Sequence, residues 1–317
     1  MRPRLEPIVE VEDLHVHFGD ARAVDGASLR VMPGEVLALV GESGSGKTTL
    51  VRAIQGLQKP TSGSIRVEGH TQTIFADPSV QMVFQDPTGA LNPRQTIYDV
   101  VAEGLRIRKS KGHEAALVAE ALSQAGLRPP ERFFPLYPHE ISGGQRQRVV
   151  IAGAMVMHPR LLLADEPVAS LDASIRGEIL ALMRGLVDDT GLSILAVTHD
   201  LGLAWNIADR VAVMYLGRIV ETGPTEQILD EPQHPYTKAL LSVVPETREM
   251  EQQILKGEIP DLTRMPSGCR FHPRCPLLQS GTLSEELASR CLSVDPGPVP
   301  IDAVAAAACW PAMVSAG

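Results

Sequence analysis

"VLALVGESGSGKTTLVRAI" (residues 36–54) decides how the rest of the chain is read. Its first five residues, Val36 to Val40, form an unbroken apolar run, the pattern of a strand buried on both faces of a sheet. The next stretch, GESGSGKT (41–48), fits the spacing G-x-x-x-x-G-K-[ST] and leads into a predicted helix. In such a strand–loop–helix the backbone N–H groups of 43–48 and the helix N-terminus converge and suit phosphate oxygens. Gly41, Ser43, Gly44, Ser45, Gly46, Lys47, Thr48 and Thr49 are therefore candidate nucleotide-binding residues. Lys47 is placed for the β- and γ-phosphates and Thr48 for Mg²⁺. A chance match is the alternative, and the flanking strand and helix argue against it.

Farther along, "LLLADEP" (161–167) supplies carboxylates. A hydrophobic strand ending in Asp165 delivers an acid to the C-terminal edge of the sheet, where open α/β sheets bind ligands. Asp165 is the candidate Mg²⁺ holder, and Glu166 the group to polarise an attacking water. A solvated acid pair at a strand end is the plain alternative.

The surrounding pattern is α/β. "IVEVEDLHVHF" (8–18) alternates as a strand, and 27–57 reads as strand, Pro-Gly turn, buried strand, glycine loop and helix. Residues 98–128 are helical in pattern. "RLLLAD" (160–165) and "LSILAVTHD" (192–200) are buried strands, joined by a helix over 174–191 that ends in Gly191. Strands alternating with helices predict a parallel sheet covered by helices. From about 245 the chain turns to Pro, Ser and Cys with little periodicity, which predicts an irregular C-terminal module.

Composition narrows the function classes. The chain has 317 residues, 44% of them apolar, and a net charge of −9, which argues against nonspecific nucleic-acid binding. The longest apolar run, "VVIAGAMVM" (149–157), is about half of the ~18 residues a membrane span needs. The N-terminus lacks an apolar signal segment, so a soluble, cytosolic chain is expected unless a partner holds it at a membrane. All four cysteines lie after residue 268, a local cluster rather than a disulfide framework. They follow C-x5-C-x15-C-x17-C: Cys269, Cys275, Cys291 and Cys309. Zinc modules usually contain one tight C-x2–4-C pair, which this pattern lacks. Four thiolates outside a disulfide context suit an iron–sulfur cluster, with zinc or free thiols as the alternatives.

Further stretches carry a resemblance. Phe18 ends the first strand, Gln85 lies in "VFQDP", "ISGGQ" spans 141–145, "SLD" spans 170–172, and His199 lies in "THD". With the two motifs above, these resemble, in order over about 8–245, the ATP-binding subunit of an ABC transporter. The resemblance implies a P-loop NTPase fold for 1–245, with a RecA-like parallel sheet core, an antiparallel β subdomain and a helical subdomain over about 88–160. It implies that Phe18 stacks on adenine, that Gln85 senses Mg²⁺ or the lytic water, and that His199 contacts the γ-phosphate. It also implies head-to-tail pairing of two subunits with ATP between them. Ser142 and the Gly143 and Gly144 amides, at a helix start, would then bind the nucleotide held by the partner, and Gln145 of the signature and Asp172 of the D-loop are further implied nucleotide-binding residues.

Three stretches are similar to one branch of that family. "VFQDPTGALNPRQTIYDVVAEGL" (83–105), "HPYTKALLSVVP" (234–245) and "GEIPDLTRMPSGCRFHPRCP" (257–276) resemble the ATPase subunits of dipeptide, oligopeptide and nickel importers. The resemblance implies ATP hydrolysis that powers peptide import. The implied cofactors are ATP, Mg²⁺ and a [4Fe–4S] cluster on the four cysteines of a 246–317 tail. The implied partners are a second, related ATPase subunit, two transmembrane permease subunits and an extracytoplasmic substrate-binding protein, with no nucleic acid. The implied place is the cytoplasmic face of the inner membrane, as a peripheral protein. A nickel or other small-solute importer, a non-transport ATPase of the same fold, and a redox or iron sensor are the alternatives. The sequence departs from the family in a trimmed segment between Gly69 and Gln81, in "VASLD" at the D-loop, and in Gly153 where an Arg is usual.

Overall fold

A run along the chain gives β1 (Val9–Phe18), β2 (Ala21–Val31), β3 (Val36–Val40), α1 (Lys47–Ile54), β4 (Ser62–Val67), β5 (His70–Thr71) and β6 (Val80–Val83). Helices α2 (Pro87–Ala90), α3 (Ile97–Ile107), α4 (Glu114–Gln124) and α5 (Gly143–Met155) follow, then β7 (Leu161–Asp165), α6 (Ala173–Thr190) and β8 (Ser193–Thr198). Next come α7 (Leu201–Ile207), β9 (Arg210–Tyr215), β10 (Arg218–Pro224), α8 (Thr225–Asp230) and α9 (Pro235–Leu241). The tail holds α10 (Pro276–Gln279), α11 (Glu285–Ser293), β11 (Ala306–Ala307) and α12 (Trp310–Ser315). This computed structural model describes residues 6–72, 77–110, 112–199, 201–244 and 253–315, so part of the trimmed 69–81 segment lies outside the described residues. No helix among the described residues is long and apolar enough to cross a membrane.

The chain divides into two compact units, Met1–Met32 with Leu37–Ile74 and Thr198–Gly317, and Pro33–Val36 with Phe75–Val197. In the first, β1 lies between β2 and β4 in an antiparallel sheet of order β2-β1-β4-β5. Its alternation slips once. Val9 and Val11 are buried, then Leu14 and Val16, because the register shifts between Val11 and Leu14, where Asp13 takes a left-handed φ of 45°. In the same unit β3 runs parallel to β9, β9 pairs antiparallel with β10, and β10 with the tail strand β11. Tyr215, Tyr236 and the tail residue Phe271 are fully buried against one another, with ring centroids 4.7–5.4 Å apart. Burying Phe271 contributes about 1.5–3 kcal/mol and roots the tail in this core.

In the second unit β6, β7 and β8 form a parallel set, with Leu161 opposite Val80 and Ser193. The strands LLLAD and SILAVT are buried at every position, as their continuous apolar character predicts. Helix α6 stops where Gly191 takes the left-handed conformation, φ 71°. The helical pattern over 98–128 resolves into two helices. Thr96 caps α3, and the polar stretch after Ile107, with Lys109 at φ 51°, breaks the run before α4.

One buried group sets an acid limit on stability. His234 is 1% exposed and caps α9, its Nδ1 accepting the Tyr236 N–H at 3.1 Å. Burial pushes its pKa from 6.5 to about 3, so the folded state keeps the imidazole neutral. The unfolded chain takes up a proton below pH 6.5 that the folded chain refuses, so stability is lost as pH falls through that window. We expect the urea-derived stability to drop by about 2 kcal/mol more in the parent than in His234→Asn between pH 7 and 5. Equal slopes would remove His234 as the cause.

Candidate functional site

The glycine loop between β3 and α1 is shaped by close backbone approach. A Cβ on Gly41 would stand 2.2 Å from the Met214 carbonyl oxygen, and one on Gly46 2.2 Å from that of Ala23. No other residue fits at either point. The Lys47 ammonium folds back over the loop, donating to the Gly41 carbonyl at 2.7 Å and the Glu42 carbonyl at 2.9 Å. Ser45 is buried, and its carbonyl accepts the Gly217 N–H at 2.9 Å. Ser43 and Gly44 are exposed at the loop tip, while Thr48 and Thr49 enter the first turn of α1. A buried positive side chain at the N-terminus of a helix is an arrangement that suits an anion. In the same unit Phe18 closes β1 with 52% of its surface exposed, a free aromatic platform, and His199 is exposed just after β8.

In the second unit Asp165 is the buried last residue of β7. Glu166 follows with φ 48°, a left-handed backbone that costs an L-residue on the order of 1–2 kcal/mol. Two bonds hold it there: its N–H donates to the Val197 carbonyl at 3.0 Å, and its carbonyl accepts the Ala169 N–H at 3.2 Å. Gln85, exposed after β6, donates its amide to the Glu166 carboxylate at 3.4 Å. Residues 81 positions apart therefore meet at one strand end, with the carboxylate held off the strand direction by backbone strain.

Also in that unit, Ser142 caps α5 in a reciprocal box. Its hydroxyl accepts the Gln145 N–H at 3.2 Å, and the Gln145 side chain accepts the Ser142 N–H at 3.0 Å. Gly143 and Gly144 open the helix, where no preceding turn offers their amides an acceptor. A Cβ on Gly144 would press to 2.8 Å on Ile175 of α6, the helix whose N-cap position Asp172 occupies without a side-chain cap bond.

The four cysteines line one small cavity, with His234, Phe271 and Trp310 also in its wall. Its walls come from distant segments. A Cβ on Gly268 (φ 62°) would stand 2.6 Å from the Cys291 carbonyl oxygen, so only glycine lets the Cys269 loop close on α11. There the Cys269 N–H donates to that carbonyl at 2.9 Å. The pairing of β11 with β10 delivers Cys309. Burial pushes the Cys269 thiol up to about 11 and Cys309 up to about 12, and raises Cys275 and Cys291 as well. Among the described residues, the one group of three ligand atoms within 4.8 Å of one another is His15, His17 and Asp25. Asp25 is already paired with Arg270 at 2.7 Å, and His15 bridges Asp25 and Asp13, so that group is a neutralised polar network.

Comparison with known proteins decides the family. Residues 24–169 match the ABC transporter family and 220–281 the oligopeptide/dipeptide transporter C-terminal region. The oligopeptide transport ATP-binding protein AppF of Bacillus subtilis is 41% identical over 298 residues, covering 86% of this chain and 90% of that protein. The oligopeptide transport ATP-binding protein OppF of Salmonella typhimurium is 40% identical over 327 residues, covering 91% and 97%. The chain belongs to the ABC transporter family, in its oligopeptide/dipeptide branch. Among solved structures, cbiO1 of Clostridium perfringens, part of the ABC transporter complex cbiONQ, aligns at TM-score 0.65 and 30% identity over 71% of this chain and 92% of that one. The dimeric ATP-binding cassette MJ0796, bound to ADP and phosphate after hydrolysis, aligns at TM-score 0.59 and 29% identity over 68% and 98%.

The fold of this ABC ATPase carries contacts that its motifs do not announce. Arg274 of the tail donates to both carboxylate oxygens of Glu42 in the glycine loop, at 2.6 and 3.0 Å. The Tyr236 hydroxyl accepts the Glu42 N–H at 2.8 Å, and Arg270 donates to the Leu216 carbonyl at 2.7 Å. Arg270 and Arg274 lie inside the quoted "CRFHPRC", yet their partners are more than 50 residues away, and no local pattern marks such a bond.

Proposed function

We propose that this chain is the energy-coupling subunit of a peptide importer, hydrolysing ATP to drive a membrane permease. The observation that carries the chemistry is the strained Glu166 backbone directly after buried Asp165, with the Gln85 amide on its carboxylate. In this reading Phe18 stacks on adenine, and Gly41, Ser43, Gly44, Ser45, Gly46, Lys47 and Thr49 hold the triphosphate. Thr48, Gln85 and Asp165 offer the hard oxygen donors that Mg²⁺ prefers, and the ion would neutralise phosphate charge there. Glu166 accepts the proton of the attacking water, and His199 holds the γ-phosphate side of that geometry. Ser142, Gly143, Gly144, Gln145 and Asp172 serve the nucleotide of a second, related ATPase subunit. Two permease subunits and an extracytoplasmic binding protein complete the assembly, at the cytoplasmic face of the inner membrane. The match of the C-terminal region supports peptides as cargo.

In the same reading Cys269, Cys275, Cys291 and Cys309 of the tail would hold a [4Fe–4S] cluster. All four line one cavity, yet no three of their sulfurs lie within 4.8 Å of one another. A single zinc ion with Zn–S bonds of ~2.3 Å would need sulfurs ~3.8 Å apart. A cubane cluster spaces its thiolates more widely, because each binds a different iron. When bound it supplies cations that keep four desolvated thiolates ionised. The residues 1–245 would then form the ATPase domain, and 246–317 the tail.

Anaerobic purification of the chain with its companions from native membranes tests this reading. We expect two permease chains, a second ATPase subunit, peptide-stimulated ATP turnover, and about four irons per chain. Recovery without any permease would overturn the importer reading, and iron-free protein would overturn the cluster.

A further inference from the structure

Glu42 is the one carboxylate in the loop 41–48, which is otherwise built to receive a polyanion. A negative charge there opposes ATP unless it is cancelled. The tail cancels it. Arg274, 6% exposed, clamps both oxygens of Glu42 in a bidentate pair, the strongest geometry an arginine has for a carboxylate. The clamp is part of a wider graft. Between Cys269 and Cys275, Arg270 pairs with Asp25, Phe271 packs between Tyr215 and Tyr236, and Arg274 reaches Glu42. Tyr236 in turn accepts the Glu42 N–H, so both the backbone and the side chain of that residue are fixed from C-terminal segments.

We propose that Arg274 is a positioning residue for the nucleotide loop: by pairing with Glu42 it neutralises the loop's own carboxylate, so that ATP affinity depends on the cysteine-bearing segment being folded in place. Arg274 directly precedes Cys275, and Arg270 directly follows Cys269. Any change in the cysteine cavity that moves this five-residue span therefore moves the guanidinium on the phosphate loop. Phosphate charge is then sensed by a residue 232 positions away from the loop it serves. The inference rests on the reading that 41–48 holds the nucleotide phosphates.

The test is equilibrium binding of ATP, ADP and adenosine to the full chain. It compares the parent protein, Lys47→Ala, Glu42→Gln, Arg274→Met and the double variant Glu42→Gln/Arg274→Met, with circular dichroism as a check on folding. Arg274→Met is expected to weaken ATP by ~10–100-fold, ADP less, and adenosine less than twofold, because the loss follows phosphate charge. Glu42→Gln leaves ATP affinity equal or tighter, and the double variant returns to within about threefold of the parent. A merely structural arginine predicts no rescue. A double variant as weak as Arg274→Met, or a Glu42→Gln variant that weakens ATP tenfold, would overturn the proposal even if Arg274→Met alone does not fold. If Lys47→Ala loses ATP while Arg274→Met keeps it, this inference alone fails. If Lys47→Ala keeps full ATP affinity, the phosphate-loop reading fails first and takes the inference with it.

Discussion

Glu166→Gln is expected to bind ATP within about threefold of the parent and to hydrolyse it at least a hundredfold more slowly, the scale of a lost general base. The substitution keeps the shape of the side chain and a carbonyl oxygen toward Gln85, which lies 3.4 Å from the carboxylate. It removes only the capacity to take a proton. The left-handed backbone at Glu166 is set by its bonds to Val197 and Ala169, which glutamine leaves intact, so the variant tests chemistry rather than folding. Because binding survives while turnover stops, the variant mixed with its partner ATPase subunit should also accumulate as an ATP-loaded dimer, seen as an ATP-dependent rise in mass in gel filtration. Single-turnover measurement decides the matter. A chemical step at the parental rate would assign the proton to another group, and a loss of binding equal to the loss of rate would make Glu166 a ligand holder instead.

How far the sequence carries depends on how local the cause is. The loop 41–48 is legible because its strand, glycines, lysine and helix are contiguous, and two of its three glycines, Gly41 and Gly46, stand where the Met214 and Ala23 carbonyls leave no room for a side chain. Asp165 is legible because a buried strand must end somewhere, and an acid at its end is conspicuous. The Gln85–Glu166 contact is reachable only through family resemblance, since 81 residues separate the pair. The slip in β1 is invisible to a strict alternation, because Asp13 absorbs one residue in a left-handed turn. The break between α3 and α4 hides in a polar run that still suits a helix surface. The tail is the hardest part. Its fully buried anchor, Phe271, and the partly buried Leu262, Met265, Leu277 and Leu278 around it follow no helical or strand period, its strand β11 is two residues long, and its arginines find partners across more than 50 and more than 200 positions. Nothing periodic records such contacts, although the close-set cysteines flag the segment as special.

The second large effect concerns the cap at 142. Ser142→Arg should leave ATP labelling of this chain's own Lys47 loop within twofold, while cutting hydrolysis at the partner subunit's loop about a hundredfold or more, the loss typical when preorganised donors to a developing charge are removed. The asymmetry follows from placement. In the proposed head-to-tail pairing the 142 cap serves the partner's nucleotide, and the Ser142 hydroxyl is committed to the cap of α5 through Gln145. Losing that cap costs about 0.5–2 kcal/mol, and a cation at the positive end of a helix costs a few tenths more, too little to unfold the domain. What the arginine does instead is fill the space before the Gly143 and Gly144 amides, where a second molecule's γ-phosphate would sit. Assemblies in which this chain carries Ser142→Arg and the partner subunit carries an alanine at the lysine of its own phosphate loop separate the cases. If the two lesions fall on the same composite site, the other site is intact and about half the turnover remains. If each subunit were self-contained, Ser142→Arg would abolish ATP binding by its own loop, and the head-to-tail arrangement would have to be abandoned.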